Sequence, residues 1–349
     1  MLQLRKRDSR DSLIGRTILY SILMVAAIAT LIFVYLKNRP EEYYTRTEYL
    51  LGTYVTIKVA SEKISPVILA DAAFREITRI DKKFGSDRGI VKSMAEAGEN
   101  GMEVDEETAF LLSAVINIAE KTGGAFDPTI YPITKLWGFD SSSSKKRVPS
   151  EKEIEKTLER VGYKNIVVDV SSSKVWILNG AELDLSGIAK GYAVDLAIAR
   201  IKSMDETATG FIDAGGDIGI IGPKYGKRPW VIGIRNPRSD RADDVIEYVY
   251  MYDGAIATSG DYERYFIEDG IRYHHIFNPT TGRPARSGVI SATVISKSAL
   301  EADAFATAAF VIGTSPGITF FPRYGALVML VMEDLSTYKS PGFEVYQKK

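Results

Sequence analysis

The chain of 349 residues is 45% hydrophobic and 26% charged, which suits one large or two medium globular domains with a substantial core and excludes a disordered chain. A formal net charge of -1 and a pI near 6.3 give no global basic field of the kind nucleic acid selects. Cysteine is absent, which removes disulfides, thiolate catalysis, Cys-ligated zinc, iron–sulfur clusters and lipid attachment through an N-terminal Cys.

Thr17 to Leu36, TILYSILMVAAIATLIFVYL, is an uncharged, mostly apolar run of the length that spans a bilayer as a helix. Arg5, Lys6, Arg7, Arg10 and Arg16 precede it, and this excess of positive charge predicts a cytoplasmic N-terminus with the rest of the chain outside. A cleaved signal peptide is the alternative, disfavoured by the length of the run and by the lack of a small-x-small site after it. The expected layout is a basic tail over 1–16, an anchor over 17–36, a linker over 37–47 and a single domain over 48–349.

From Tyr49 to Ala60, YLLGTYVTIKVA is β-branched and aromatic, with Val55, Ile57 and Val59 alternating with polar neighbours as in a half-buried strand. Helices are expected over Pro66 to Phe84 and over DEETAFLLSAVINIAEKTGG, which opens on acids and closes on Gly123 and Gly124. GAFDPTIYPITKLWGF, Gly124 to Phe139, reads as neither helix nor ordinary strand: Pro128 and Pro132 remove backbone donors, while Phe126, Tyr131, Trp137 and Phe139 crowd it with rings. On its own it is either a buried cross-over loop or the wall of a pocket for a flat ligand. A polar loop follows over Ser141 to Ser150 and a short charged helix over Glu151 to Val161. Strands are expected at NIVVDV, KVWILN, TGFIDAGG, DIGIIG and WVIGIRNP, and helices interleaved with them, without a repeat, define an α+β or mixed α/β domain.

Several stretches carry groups fit for chemistry. FIDAGGDIGIIG lacks the G-x-G-x-x-G spacing and continues as a strand, so Gly215 and Gly216 read as a hairpin turn or a close backbone approach. In ELDLSGIAKGYAVDLAIARI a helix opens near Asp184 and Ser186; its N-terminus with Lys190 suits phosphate, and N-capping by Asp184 or Ser186 is the equal alternative. In EADAFATAAFVIG, Asp303 and Thr307 stand four apart on a helix and share a face, a carboxylate and a hydroxyl suited to Mg²⁺, with capping by Glu301 or Asp303 as the rival. The only two histidines, His274 and His275, are adjacent, so on a strand they face opposite ways and do not make a two-His metal site. Upstream, Thr258, Ser259 and Gly260 read as a tight polar turn that either binds phosphate or simply reverses the chain.

LGTYVTI, GGAFDPTIYPITKLWGF, LDLSGIAKGYAVD, DAGGDI, ATSGDYERYF, HHIFNPTTGRP and EADAFATAAFVIG, in this order from about Leu50 to Tyr346, resemble the ApbE family of FAD:protein FMN transferases. The resemblance implies a T-fold-like α+β architecture and a Mg²⁺-dependent enzyme outside the cytoplasmic membrane. Such an enzyme splits FAD, attaches FMN through its phosphate to a Thr or Ser of a target flavoprotein and releases AMP. It also implies roles by position: Leu51, Ala125, Phe126, Asp127, Asp184, Lys190, Ile276 and Phe277 at FAD, Gly187 (through its carbonyl), Asp303 and Thr307 at the metal, and His275 as candidate proton acceptor. Leu51 replaces the family's usual Met, Lys190 stands where some members have Glu, and Ala306 where some have a second Asp. Subunits of membrane redox complexes are the implied targets. An FAD pyrophosphatase and a membrane-tethered FAD-binding carrier are the rival functions.

Overall fold

The computed structural model describes residues 20–31, 42–85, 89–140, 143, 145–241 and 243–347. Residues 1–42 and 43–349 form two separate units. The described part of the first is α1 (20–31), an exposed helix inside the apolar N-terminal run. The rest of that run, 17–19 and 32–36, lies outside the described residues, and among the described residues no helix is long and apolar enough to cross a membrane.

The second unit begins at Tyr43, so that its first strand occupies part of the expected linker. It runs β1 (Tyr44–Leu50), β2 (Thr53–Ala60), α2 (Pro66–Phe84), α3 (Gly89–Ala97), β3 (Met102–Glu103), α4 (Glu106–Lys121), α5 (Tyr131–Leu136) and α6 (Glu151–Leu158). There follow β4 (Ile166–Asp169), β5 (Lys174–Ile177), α7 (Ser186–Met204), β6 (Thr209–Ala214), β7 (Asp217–Gly222), β8 (Trp230–Arg235), β9 (Val245–Met251) and β10 (Ala255–Gly260). The chain closes with β11 (Tyr265–Glu268), β12 (Ile271–His274), β13 (Phe277–Asn278), β14 (Arg283–Pro284), β15 (Val289–Ser296), α8 (Ala299–Ile312), α9 (Thr314–Phe320), β16 (Leu327–Met332) and β17 (Thr337–Lys339).

Its frame is an eight-stranded antiparallel sheet in the order β1-β2-β6-β7-β10-β15-β16-β17. One face is covered by α2, α7 and α8, and the core lies there, with Val55, Ile57, Ile77, Val194, Phe305 and Val294 among its fully buried side chains. Because α8 packs against α7 on one side and β10 and β15 on the other, it is apolar almost all round, as a helix without a solvent face must be. On another cluster Trp230, Val249 and Met251 of the β8–β9 ribbon pack with Ile220, Ile295 and Phe343. A three-stranded sheet, β3-β5-β4, and the ribbons β11–β12 and β13–β14 complete the unit.

Local structure corrects three readings. The stretch from Tyr49 to Ala60 is a hairpin and not one strand: Leu51 and Gly52 both take positive φ, 55° and 73°, the two-residue turn whose twist matches antiparallel partners. The aromatic stretch contains α5, with Pro132 in its first turn, where a missing N–H costs nothing. Thr258, Ser259 and Gly260 are the end of strand β10, not a turn.

Candidate active site

A cavity of about 590 Å³ opens where the ends of several elements converge, and every residue singled out from the resemblance lines it. Leu51 comes from the β1–β2 turn; Ala125, Phe126 and Asp127 from the loop before α5; Asp184, Gly187 and Lys190 from the start of α7. His275, Ile276 and Phe277 follow β12, and Asp303 and Thr307 project from α8. Asp217, Thr134, Ser259, Glu263 and Arg264 line it too and were not selected from the sequence as site residues.

The aromatic stretch divides between the two readings open to it. Phe126 lines the cavity, whereas Trp137 and Phe139 are fully buried behind it and pack with Ile133, Ile154 and Phe277. Trp137 donates its indole N–H to the Gly282 carbonyl at 2.9 Å, which ties this loop to the turn after Phe277. Phe139 lies 5.8 Å from the Phe277 ring and 6.4 Å from His275. One ring therefore faces the cavity, and two fix the residues that do.

Asp127 stands at the wall, but its carboxylate is engaged by the protein. Oδ1 accepts from Thr129 N at 2.8 Å and Thr129 Oγ1 at 2.6 Å, and Oδ2 accepts from Tyr163 N at 2.8 Å. Burial pushes its pKa up against the pull of these donors. Its observed work is to shape the loop that carries Phe126. Likewise Asp184 Oδ1 accepts from Ser186 N at 2.9 Å while Leu185 holds the N-cap position of α7, so neither Asp184 nor Ser186 is the N-cap residue. Nor does Asp303 cap α8, a role taken by Ser298, with Asp195 of α7 accepting from the amides of Ala299 and Leu300 at 2.8 and 3.0 Å.

The charged end of the cavity is built on α7, β7 and α8. Lys190 Nζ lies 2.5 Å from Asp217 Oδ2 and 3.1 and 3.2 Å from the two oxygens of Asp303. Gly191 N also donates to Asp303 at 3.3 Å. Only a glycine fits at 191, because a Cβ there would stand 2.5 Å from the Ala299 carbonyl carbon at the start of α8. Thr307 Oγ1 is 3.2 Å from Ser259 Oγ, and a Cβ on Gly187 would lie 3.7 Å from the same hydroxyl. Desolvation works against the Lys190 ammonium, but the attraction of Asp217 and Asp303 exceeds it and raises its pKa; desolvation and the nearby Asp303 push Asp217 upward. Two buried carboxylates thus share one ammonium.

The two histidines face apart as expected, although β12 ends at His274 and His275 lies just beyond it. His274 is buried against Phe310; it donates Nε2–H to the Ala285 carbonyl at 3.1 Å and accepts from Ile276 N at Nδ1, so both nitrogens are committed. His275 faces the cavity with Nδ1 3.2 Å from the Arg264 carbonyl. A carbonyl only accepts, so Nδ1 carries the proton and Nε2 keeps a lone pair. Loss of water contact, then the adjacent Arg264 charge, lower the His275 pKa to about 3, which leaves the imidazole neutral at physiological pH.

An apolar and aromatic wall of Leu51, Phe126, Ile276 and Phe277 faces a carboxylate, hydroxyl and ammonium set beside a helix N-terminus, a lining whose chemistry suits a flat ring joined to phosphate. A sequence profile of the ApbE family matches residues 51–330. The FAD:protein FMN transferase of Treponema pallidum (strain Nichols) is 32% identical over 323 residues, covering 86% of this chain and 87% of its own. The crystal structure of the ApbE protein from Thermotoga maritima MSB8 superposes with a TM-score of 0.85 at 47% identity, over 88% of this chain and 100% of that one. That of the flavin transferase ApbE from Vibrio cholerae does so at 0.78 and 27%, over 88% and 100%. The chain belongs to the ApbE family and is an enzyme of the transferase class.

Proposed function

We propose that the protein is a Mg²⁺-dependent FAD:protein FMN transferase that esterifies FMN through its phosphate to a Thr or Ser of a target flavoprotein and releases AMP. The observation that carries this reading is the convergence, in one cavity, of the apolar wall, the Asp303–Thr307 pair and the neutral His275 from four separate segments. The donor set fits the ion. Among the described residues no three His, Asp or Glu side chains cluster as a metal site. A metal here would rest on Asp303, Thr307 and the Gly187 carbonyl, few and hard oxygens that suit an ion keeping waters and phosphate oxygens. Two buried carboxylates that share a single ammonium favour a further cation. Bound there, Mg²⁺ supplies charge neutralisation at the pyrophosphate.

The chain's own residues supply positioning and a proton acceptor. Leu51, Phe126, Ile276 and Phe277 hold the isoalloxazine and exclude water, and the positive N-terminal end of α7 with Lys190 lies beside the phosphates. The target hydroxyl attacks the FMN phosphorus as its proton passes to His275 Nε2. A phosphorus–oxygen bond to the target forms, the bond to the bridging pyrophosphate oxygen breaks, and AMP leaves with that oxygen. The basic tail and apolar run of residues 1–36 support a single-pass anchor with the catalytic unit outside the cytoplasmic membrane, where subunits of membrane redox complexes are the targets. The test is to incubate the full-length protein with FAD and Mg²⁺, with and without a protein carrying an acceptor Thr, following in-gel flavin fluorescence and AMP. A fluorescent target band with AMP formed alongside it is expected. AMP without a labelled protein would establish the pyrophosphatase instead, and bound, uncleaved FAD the carrier.

A further inference from the structure

Asp217 has no place in the transfer chemistry just described, yet it makes the shorter of the two ion pairs at Lys190. Its carboxylate is almost wholly buried, its Oδ2 has the Lys190 ammonium at 2.5 Å, and it stands directly after the Gly215–Gly216 turn that brings it to the cavity. The same ammonium lies against both oxygens of Asp303 at 3.1 and 3.2 Å. It thus takes up the side of Asp303 that a cation would use. An ammonium and a divalent cation on one carboxylate repel each other. One of them must give way, and a half-buried ammonium that loses its carboxylate partners loses stabilisation.

We propose that Asp217 is the positioning residue that retains Lys190 when Asp303 exchanges the ammonium for the metal ion. With Asp217 present, Lys190 loses one partner and keeps the closer one. Without it, Asp303 is the one carboxylate left in an ion pair with the ammonium among the described residues, and metal uptake leaves that charge without a carboxylate partner. The inference rests on the metal assignment above and gives Lys190 two states, one on both carboxylates and one on Asp217 alone.

The experiment is a double-mutant cycle read as Mn²⁺ affinity, by the electron paramagnetic resonance of free Mn²⁺, on full-length protein with and without FAD. Asp217→Asn is expected to weaken Mn²⁺ binding about tenfold while Lys190 is present, and Lys190→Met to tighten it. In the Lys190→Met background, Asp217→Asn is expected to change the affinity less than about twofold, because the residue acts through the ammonium. The same factor in both backgrounds means that Asp217 acts only as a distant negative charge, and that result overturns the inference alone. A wild-type protein that takes up no Mn²⁺ in either condition overturns the metal assignment and the inference with it. Since Lys190→Met leaves two buried carboxylates facing each other and endangers folding, a second measurement uses the wild type. In a Mn²⁺-soaked crystal Lys190 Nζ should stay bonded to Asp217 and stand beyond hydrogen-bond reach of Asp303; an ammonium still on Asp303 refutes the exchange.

Discussion

Substituting Gly191 by Ala tests whether the approach of α7 to α8 is what assembles the charged end of the cavity. An added Cβ would lie 2.5 Å from the Ala299 carbonyl carbon and 2.7 Å from Leu300 N, where ordinary contact begins at 3.4 Å. The helices must therefore separate by roughly 1 Å, and overpacking of this kind costs about 1–3 kcal/mol. Helix propensity acts the other way, since Ala is better than Gly in a helix interior by about 1 kcal/mol. The sign of the net effect thus reports which term wins, and a backbone obstacle, unlike the tip of a flexible side chain, cannot swing aside. Lys190 is the preceding residue and Gly191 N is a donor to Asp303, so the shift moves both members of the ion pair. A displacement of about 1 Å in a reacting constellation costs about a hundredfold in rate. Urea unfolding followed by tryptophan fluorescence should show a loss of about 1–2 kcal/mol. FMN transfer, measured where the variant is fully folded, should fall about a hundredfold. A variant as stable as the wild type that transfers FMN at the same rate refutes the close-approach argument.

Asp303→Ala should abolish FMN transfer to the target, as read by in-gel flavin fluorescence; full activity in that variant would remove Asp303 from the metal set. Trp137→Ala should cost about 3–5 kcal/mol of stability as a fully buried ring. Phe126→Ala, by contrast, should raise the KM for FAD about fivefold with a smaller stability loss, the worth of one aromatic contact; the reverse pattern means that the two rings have been assigned to the wrong places. His274 is held neutral by burial with its pKa lowered to about 4, against 6.5 for the free side chain. The unfolded chain therefore binds more protons in that window, and stability should fall from about pH 6.5 towards pH 4 by up to ~1.4 kcal/mol per pH unit for this group. Urea midpoints at pH 7 and 5, compared with those of a His274→Gln variant, isolate that contribution; an identical slope in the variant shows that His274 does not set it.

How far the sequence revealed the site depended on whether a residue's role is local. Asp303 and Thr307 were legible because a spacing of four on an Ala-rich helix fixes a shared face before any packing is known. Adjacent His274 and His275 were separable by the period of two along a strand, and they do face apart, although the strand itself ends at His274. The aromatic stretch was not, since which of its rings meets the cavity depends on Gly282, Tyr273 and Phe277, more than a hundred residues further along the chain. Asp217 was the hardest case. Beside two glycines and ahead of an apolar run it reads as the polar first residue of a strand, and its importance appears only when β7 is laid against α7 and Lys190 finds it. The Leu51–Gly52 turn shows the same limit in reverse: alternation gave the correct buried face to Val55, Ile57 and Val59, but the inward residues are even-numbered in β1 and odd-numbered in β2, and the polar, half-buried face of β1 gives no apolar run in which that change of phase could be read. What the sequence conceals here is long-range pairing of charge, and that pairing, more than any single motif, sets the charge at this end of the cavity.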